Sequence, residues 1–267
     1  MTIHLITCRG IGEQTGTNMI LGGIGGRRGV VGRLPAGKFP VHDLPWAANY
    51  GPVGGVVNAQ SYGRNVDQGM DLIAAKLAEL PKGDKAILLG FSAGATLAGN
   101  YAAYARGDVH HRGKIAGVGL IADPMMPQGV CDVDPESFGV GGERRIPEHD
   151  FPVQWIYNPR DMICCCPTDS PLRTIADQTF AFSFAPGAAP LWIADLVDRV
   201  KTRRWQAVKV EWWHPLRVIA QYRRALEDAH GYLFAGEHIN YDDAGPYTGT
   251  QKLADFIMAR ARAVGEL

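Results

Sequence analysis

Residues 86–104 read Ala-Ile-Leu-Leu-Gly-Phe-Ser-Ala-Gly-Ala-Thr-Leu-Ala-Gly-Asn-Tyr-Ala-Ala-Tyr, and this stretch decides the fold. Residues 85–89 are a short apolar run fit for a buried parallel strand. Residues 94–105 are rich in alanine, the best helix former. Between the two, Gly90-Phe91-Ser92-Ala93-Gly94 has to turn the chain sharply. Gly90 and Gly94 flank the serine where strand and helix pass within backbone contact, and a side chain at either place would clash. Ser92 is then expected to project from the top of a sheet. The amide of Ala93, at the helix start, is expected to point at an oxyanion.

Gly-x-Ser-x-Gly in this setting is the nucleophile elbow of an α/β-hydrolase. In a chain with 33 glycines the pattern alone is only suggestive, and its context adds most of the weight. The bland alternative is a glycine-rich turn with a solvent-facing serine. Outward from the elbow, residues 3–7 read as a first strand, and residues 41–50 hold a second short one. Residues 64–80 carry Val66, Met70, Ile73, Leu77 and Leu80 on one helical stripe. Strands follow at 114–121 and 152–157, and an amphipathic helix at 249–264 presents Leu253, Phe256, Ile257, Ala261 and Val264. This alternation implies a doubly wound, mostly parallel sheet.

The 267 residues fit one α/β-hydrolase domain spanning 1–267, interrupted by residues 187–229. That segment has helical stretches at 190–200 and 215–229 around Trp205, Trp212 and Trp213. It reads equally as a helical insertion beside the active site, able to act as a lid, or as an ordinary extra helical layer. Residues 8–40 are a long glycine-rich loop that includes Gly25 and Gly26. They are not a P-loop, because no Gly-Lys-Ser/Thr follows.

Composition narrows the partners. Net charge is zero and 46% of residues are hydrophobic, so nothing argues for nucleic acid or an anionic membrane surface. No apolar run reaches the roughly 18 residues of a transmembrane helix. The N-terminal residues lack a basic region and a cleavage site, so no standard secretory signal is expected. The five cysteines, Cys8, Cys131 and Cys164 to Cys166, lack zinc-site spacing, and no metal or organic cofactor is expected. They read as small packing residues, with a bridge from Cys131 to the triple run as the alternative. Oligomeric state is not legible.

A serine nucleophile needs a base, and the base needs a carboxylate, in the chain order Ser, acid, His. Of eight histidines, His4 and His42 precede Ser92, and His110 and His111 fall in a polar loop. His149 precedes the acid strand, His214 lies in the insertion and His230 ends a helix. His238 sits in a loop just before the last helix, where this fold supplies its base, and is the expected one. Asp161, in the turn Asn158-Pro159-Arg160-Asp161 after a strand, is the expected acid. Asp169 is next, ahead of Asp123 and Asp195. The loop Cys8-Arg9-Gly10-Ile11-Gly12-Glu13 is expected to supply a second oxyanion donor, the amide of Ile11, alongside that of Ala93.

Together these segments resemble the cutinase-like serine esterases, and most closely the lysin B proteins of phages that infect mycobacteria and related bacteria. Arg9-Gly10-Ile11-Gly12-Glu13 resembles the family's Arg-Gly-Thr/Ser-Gly-Glu segment. Tyr50-Gly51-Pro52, Ser61-Tyr62 and Gly69 resemble the run before the elbow, and Asp123-Pro124-Met125 its Asp-Pro-Met loop. Asn158-Pro159-Arg160-Asp161-Met162 and His238-Ile239-Asn240-Tyr241 resemble its acid and histidine loops. Two positions depart from the pattern: Ile11 replaces Thr or Ser, and Ala93 replaces Gln. Only backbone amides are then left for the oxyanion. The resemblance implies hydrolysis of the ester joining mycolic acids to arabinogalactan, with no cofactor. It also implies synthesis in the host cytoplasm and action on the cell envelope after release at lysis. A general cutinase, a lipase or an acyltransferase on lipid esters is the alternative, because the triad does not distinguish water from an alcohol as acceptor.

Overall fold

Five parallel strands form the centre of the protein, in the order β2-β1-β3-β4-β5. The computed structural model describes residues 1–23, 27–50, 59–105, 109–147, 151–180, 193–195, 197–198, 201–202, 206, 208, 213–233, 235–242 and 249–265. The strands are β1 (Ile3–Cys8), β2 (Val41–Asp43), β3 (Lys85–Phe91), β4 (Ile115–Ile121) and β5 (Val153–Ile156). The helices are α1 (Tyr62–Glu79), α2 (Ala93–Ala105), α3 (Val109–Lys114), α4 (Leu172–Thr179), α5 (Pro215–Leu233) and α6 (Thr250–Ala263).

Successive strand residues point to opposite faces, and the two faces hold separate cores. Ile6, Leu88, Val118 and Leu120 pack with Val66, Ile73 and Leu77 of α1 and Leu97 and Tyr101 of α2. Leu5, Ile87, Leu89 and Ile121 pack on the other face with Leu253, Ile257 and Ala261 of α6. Each such Leu or Ile contributes about 1.5–3 kcal/mol by leaving water. Helices thus cover both faces of a parallel sheet, the doubly wound arrangement of the α/β-hydrolase fold. Strand order reverses between β1 and β3. A crevice opens outside the carboxyl ends of strands at such a switch point, and ligands bind there in open α/β sheets.

The structure departs from the sequence expectations in three places. The second strand keeps only three residues, Val41–Asp43. His110 and His111 lie in helix α3 rather than a polar loop, and His111 Nδ1 is 2.8 Å from Tyr101 Oη. Their segment is ordered because α3 packs against α1 and α2 on its way into β4. Helix α4 was not expected. All five cysteines are buried free thiols, as the packing reading expects, and the alternative bridge from Cys131 to the triple run does not form. Cys131, Cys164 and Cys165 pack instead around Met126. Burial pushes the Cys8 thiol up, and Cys166 is pushed up to about 11, which keeps both neutral.

Of residues 187–229, most of α5 and the helical residues 193–195 and 197–198 are described. Most of 187–212, with Trp205 and Trp212, lies outside the described residues, as do Gly25, Gly26, Gly51, Pro52 and His149. No described helix is long and apolar enough to cross a membrane.

Candidate active site

The elbow is built by backbone crowding. Ser92 has φ 55°, a left-handed conformation that is rare for a residue with a side chain. Such a conformation costs about 1–3 kcal/mol and needs surrounding structure to hold it. Here the Ser92 amide donates to Ile121 O at 2.8 Å, while Ser92 O accepts from Ala95 N at 2.8 Å to start α2. A Cβ on Gly90 would run into Gly94 O, and one on Gly94 into Cys8 O. Only glycine lets β3, α2 and the end of β1 approach this closely.

His238 lies in the turn between α5 and α6. Ile239 N and Asn240 N both donate to Gly236 O, at 3.0 and 3.1 Å, which curls the loop tightly. Arg27 holds it from outside, donating to Ile239 O at 2.7 Å. The imidazole stacks on Phe91, the residue before the serine, with ring centroids 5.2 Å apart. His238 Nε2 is 2.8 Å from Ser92 Oγ, and Nδ1 is 2.8 Å from Asp161 Oδ2.

Asp161 is fully buried in the turn after β5. Its amide donates to Asn158 O at 2.9 Å, and its Oδ1 accepts from Ile163 N at 3.0 Å. Asn158 Nδ2 donates to Glu237 O at 2.9 Å and ties the acid loop to the histidine loop. A carboxylate can only accept, so Nδ1 carries the proton and Nε2 is free to take one from Ser92. His238 and two side chains 77 and 146 residues away in sequence, Asp161 and Ser92, thus form one hydrogen-bonded series.

The loop after β1 closes the other side. Arg9 donates to Glu13 O, Leu44 O and Trp46 O at 3.0, 3.0 and 2.7 Å, which anchors the loop. Glu13 accepts from Gly10 N and Met19 N, both at 2.7 Å. Burial pushes the Glu13 carboxyl above its ordinary value, although those two amides pull it back down. The Gly10 amide is therefore occupied, and Ile11, the expected donor, follows it in the same loop, half-buried against the core. A Cβ on Gly10 would sit 2.9 Å from the Phe91 ring, so this loop lies directly against the elbow that carries Ala93.

The rejected alternatives lie elsewhere. Asp169, His214 and His230 are exposed, and Asp169 is joined to α5 through its carbonyl by Gln221 at 2.5 Å. Asp123 is buried but paired with Arg144 at 2.5 Å. Two contributors were not singled out from sequence. Tyr241 donates to Asp161 Oδ2 at 2.6 Å, and Glu13 fixes the loop that carries Ile11. Both lie within segments already quoted, and Tyr241 falls three residues after His238, within one turn of chain. Among the described residues no group of three or more His, Cys, Asp or Glu could hold a metal ion.

No family model matches the chain, and no curated protein matches it. Solved structures do. A cutinase-like protein from Cryptococcus sp. is 16% identical, with TM-score 0.42, over 75% of this chain and 94% of that one. An acetylxylan esterase structure is 16% identical, with TM-score 0.45, over 75% of this chain and 97% of that one.

Proposed function

We propose that the protein is a serine carboxylic-ester hydrolase that cleaves lipid esters by an acyl-enzyme route. The observation that carries this reading is the Asp161–His238–Ser92 series, with both links at 2.8 Å. Ser92 Oγ attacks the ester carbonyl while His238 Nε2 takes its proton. Asp161 holds the imidazole in the right tautomer and stabilises the imidazolium that forms. The amides of Ile11 and Ala93 receive the negative charge that develops on the carbonyl oxygen. His238 then gives its proton to the departing alcohol, and water repeats the sequence to free the acid. No cofactor enters any step.

The substrate we infer from the resemblance to the lysin B proteins is the ester between mycolic acids and arabinogalactan. On this reading the protein is made in the host cytoplasm and meets the cell envelope at lysis. Residues 187–229 would border the acyl site as an insertion within the single domain.

Two experiments test this. Ser92→Ala should lower hydrolysis of a short p-nitrophenyl ester by a factor on the order of 10⁴–10⁶ with an unchanged circular dichroism spectrum. Retained turnover would overturn the esterase reading. Incubation with purified mycolyl-arabinogalactan, triglyceride or trehalose plus a lipid ester, read by mass spectrometry, settles the substrate. Free mycolic acid from the first supports the proposal. Fatty acid from triglyceride alone marks a lipase, and acylated trehalose marks a transferase.

A further inference from the structure

Asp161 Oδ2 faces two donors. The imidazole Nδ1 lies at 2.8 Å and the Tyr241 hydroxyl at 2.6 Å, so the phenol is the nearer. Tyr241 is fully buried, between the acid loop and the core under α6. Its hydroxyl also accepts from Asn158 N at 3.2 Å and contacts Cys164 Sγ at 3.5 Å. An amide can only donate and a carboxylate only accept, so the phenolic proton must point at Asp161. Burial and the Asp161 charge push the phenol well above its ordinary value, which keeps it a neutral donor.

We propose that Tyr241 is a positioning residue of the site. Its hydroxyl fixes the Asp161 carboxylate in line with His238 and withdraws charge from the oxygen that faces the imidazole. The hydrolysis readout of this inference rests on the esterase reading above, and its spectroscopic readout does not.

The sign follows from simple electrostatics. A hydrogen bond to a carboxylate spreads its charge and weakens its hold on a neighbouring cation. Without the phenol, Asp161 stabilises the imidazolium more strongly. Catalysis needs the neutral imidazole, so the acid limb of the pH–rate profile should move up. Other charged or titratable groups around the pair are Glu13 beside His238, Glu237 beside Asp161, Arg160 beside Glu237, and Cys164 against the phenol. Tyr241→Phe leaves all of them in place.

The experiment compares wild type, Tyr241→Phe and protein carrying 3-fluorotyrosine at position 241. In Tyr241→Phe the acid limb of kcat/KM on a p-nitrophenyl ester should move up by about half to one pH unit. The low-field proton resonance of His238 Nδ1–H should move further downfield. Fluorotyrosine, a stronger donor of the same shape, should move both readouts the opposite way. If Tyr241→Phe does not fold, the fluorotyrosine protein carries the test alone. Folded variants whose acid limb and Nδ1 proton stay at the wild-type values would overturn the proposal. If the wild type shows no esterase activity, the esterase reading fails, while the proton resonance still decides the role of Tyr241.

Discussion

Two aspartates end adjacent strands of the same sheet, and both are fully buried. Asp123 follows β4 and Asp161 follows β5, yet their surroundings differ in kind. Asp123 Oδ2 accepts from Arg144 Nη2 at 2.5 Å and from Trp155 Nε1 at 3.2 Å, while Oδ1 accepts from Met125 N at 3.0 Å. Arg144 also donates to Thr96 O and to Asn100 Oδ1 on α2, at 3.4 and 3.0 Å. The charge of Asp123 is thus neutralised by a permanent cation, and the pair clamps the elbow helix to the Asp-Pro-Met loop. The partners of Asp161 are the Ile163 amide, Tyr241 and His238, none of them a permanent cation. Its negative charge is held in place but left uncompensated until the imidazole gains a proton. Burial alone does not separate a structural carboxylate from one that can support catalysis. The charge of the partner does.

That contrast can be broken most severely at Asp161. Asp161→Asn should lower kcat by about 10⁴-fold, because the carboxamide no longer fixes the imidazole tautomer. Its melting temperature should move little in comparison, and a variant that unfolds instead would place Asp161 with Asp123. At the other carboxylate the loss should fall on stability. Arg144→Met leaves a buried charge unpaired and should cost about 3–5 kcal/mol in denaturant unfolding. The double variant Asp123→Asn/Arg144→Met should recover much of that. Turnover per folded molecule should stay within several-fold in both. A collapse of kcat/KM with intact stability would make Asp123 a functional group after all.

Glu13 sharpens the contrast at a smaller scale, as a half-buried carboxylate held by two backbone amides. Glu13→Gln keeps one carbonyl acceptor for Gly10 or Met19 and turns an N–H against the other. We expect about a tenfold loss in kcat/KM with a short ester. Its raised carboxyl also predicts a slope in stability with pH. The folded state holds that proton more tightly than the unfolded chain does. The resulting stabilisation is complete below the unfolded carboxyl value and is lost as pH rises through the folded one. Glu13→Gln should therefore be more destabilising, relative to wild type, at pH 4 than at pH 7, as read by thermal melts. An unchanged difference would mean that Glu13 does not titrate as its burial implies.

The elbow was legible because its constraint is local. Glycines on both sides of one serine, after an apolar run and before an alanine-rich one, leave the backbone little choice. Helix α6 was legible through Leu253, Ile257 and Ala261, whose three- and four-residue spacing is a property of the helix itself. Helix α4 was not, because its buried residues are Arg173 and Asp177. Arg173 is held by the carbonyls of Phe138, Gly139, Cys166 and Pro167, and its guanidinium lies 3.4 Å from the Phe138 ring centroid. Acceptors from the preceding loop and from a loop about 35 residues away make that burial tolerable, and no periodicity announces them. Tyr241 was missed for a related reason. A tyrosine near a histidine reads as loop chemistry until Asp161, 80 residues away, is seen to lie under its hydroxyl.

On the proposed function, Ser92 is made reactive by the imidazole and carboxylate behind it. The most direct test is a fluorophosphonate probe with intact-mass and peptide mapping, run beside the Ser92→Ala, His238→Ala and Asp161→Asn proteins. One label per wild-type molecule is expected, located on Ser92, with labelling abolished in the first two variants and slowed severalfold or more in the third. A correctly folded wild-type protein that takes up no label at Ser92, or a His238→Ala protein labelled at the wild-type rate, would contradict it.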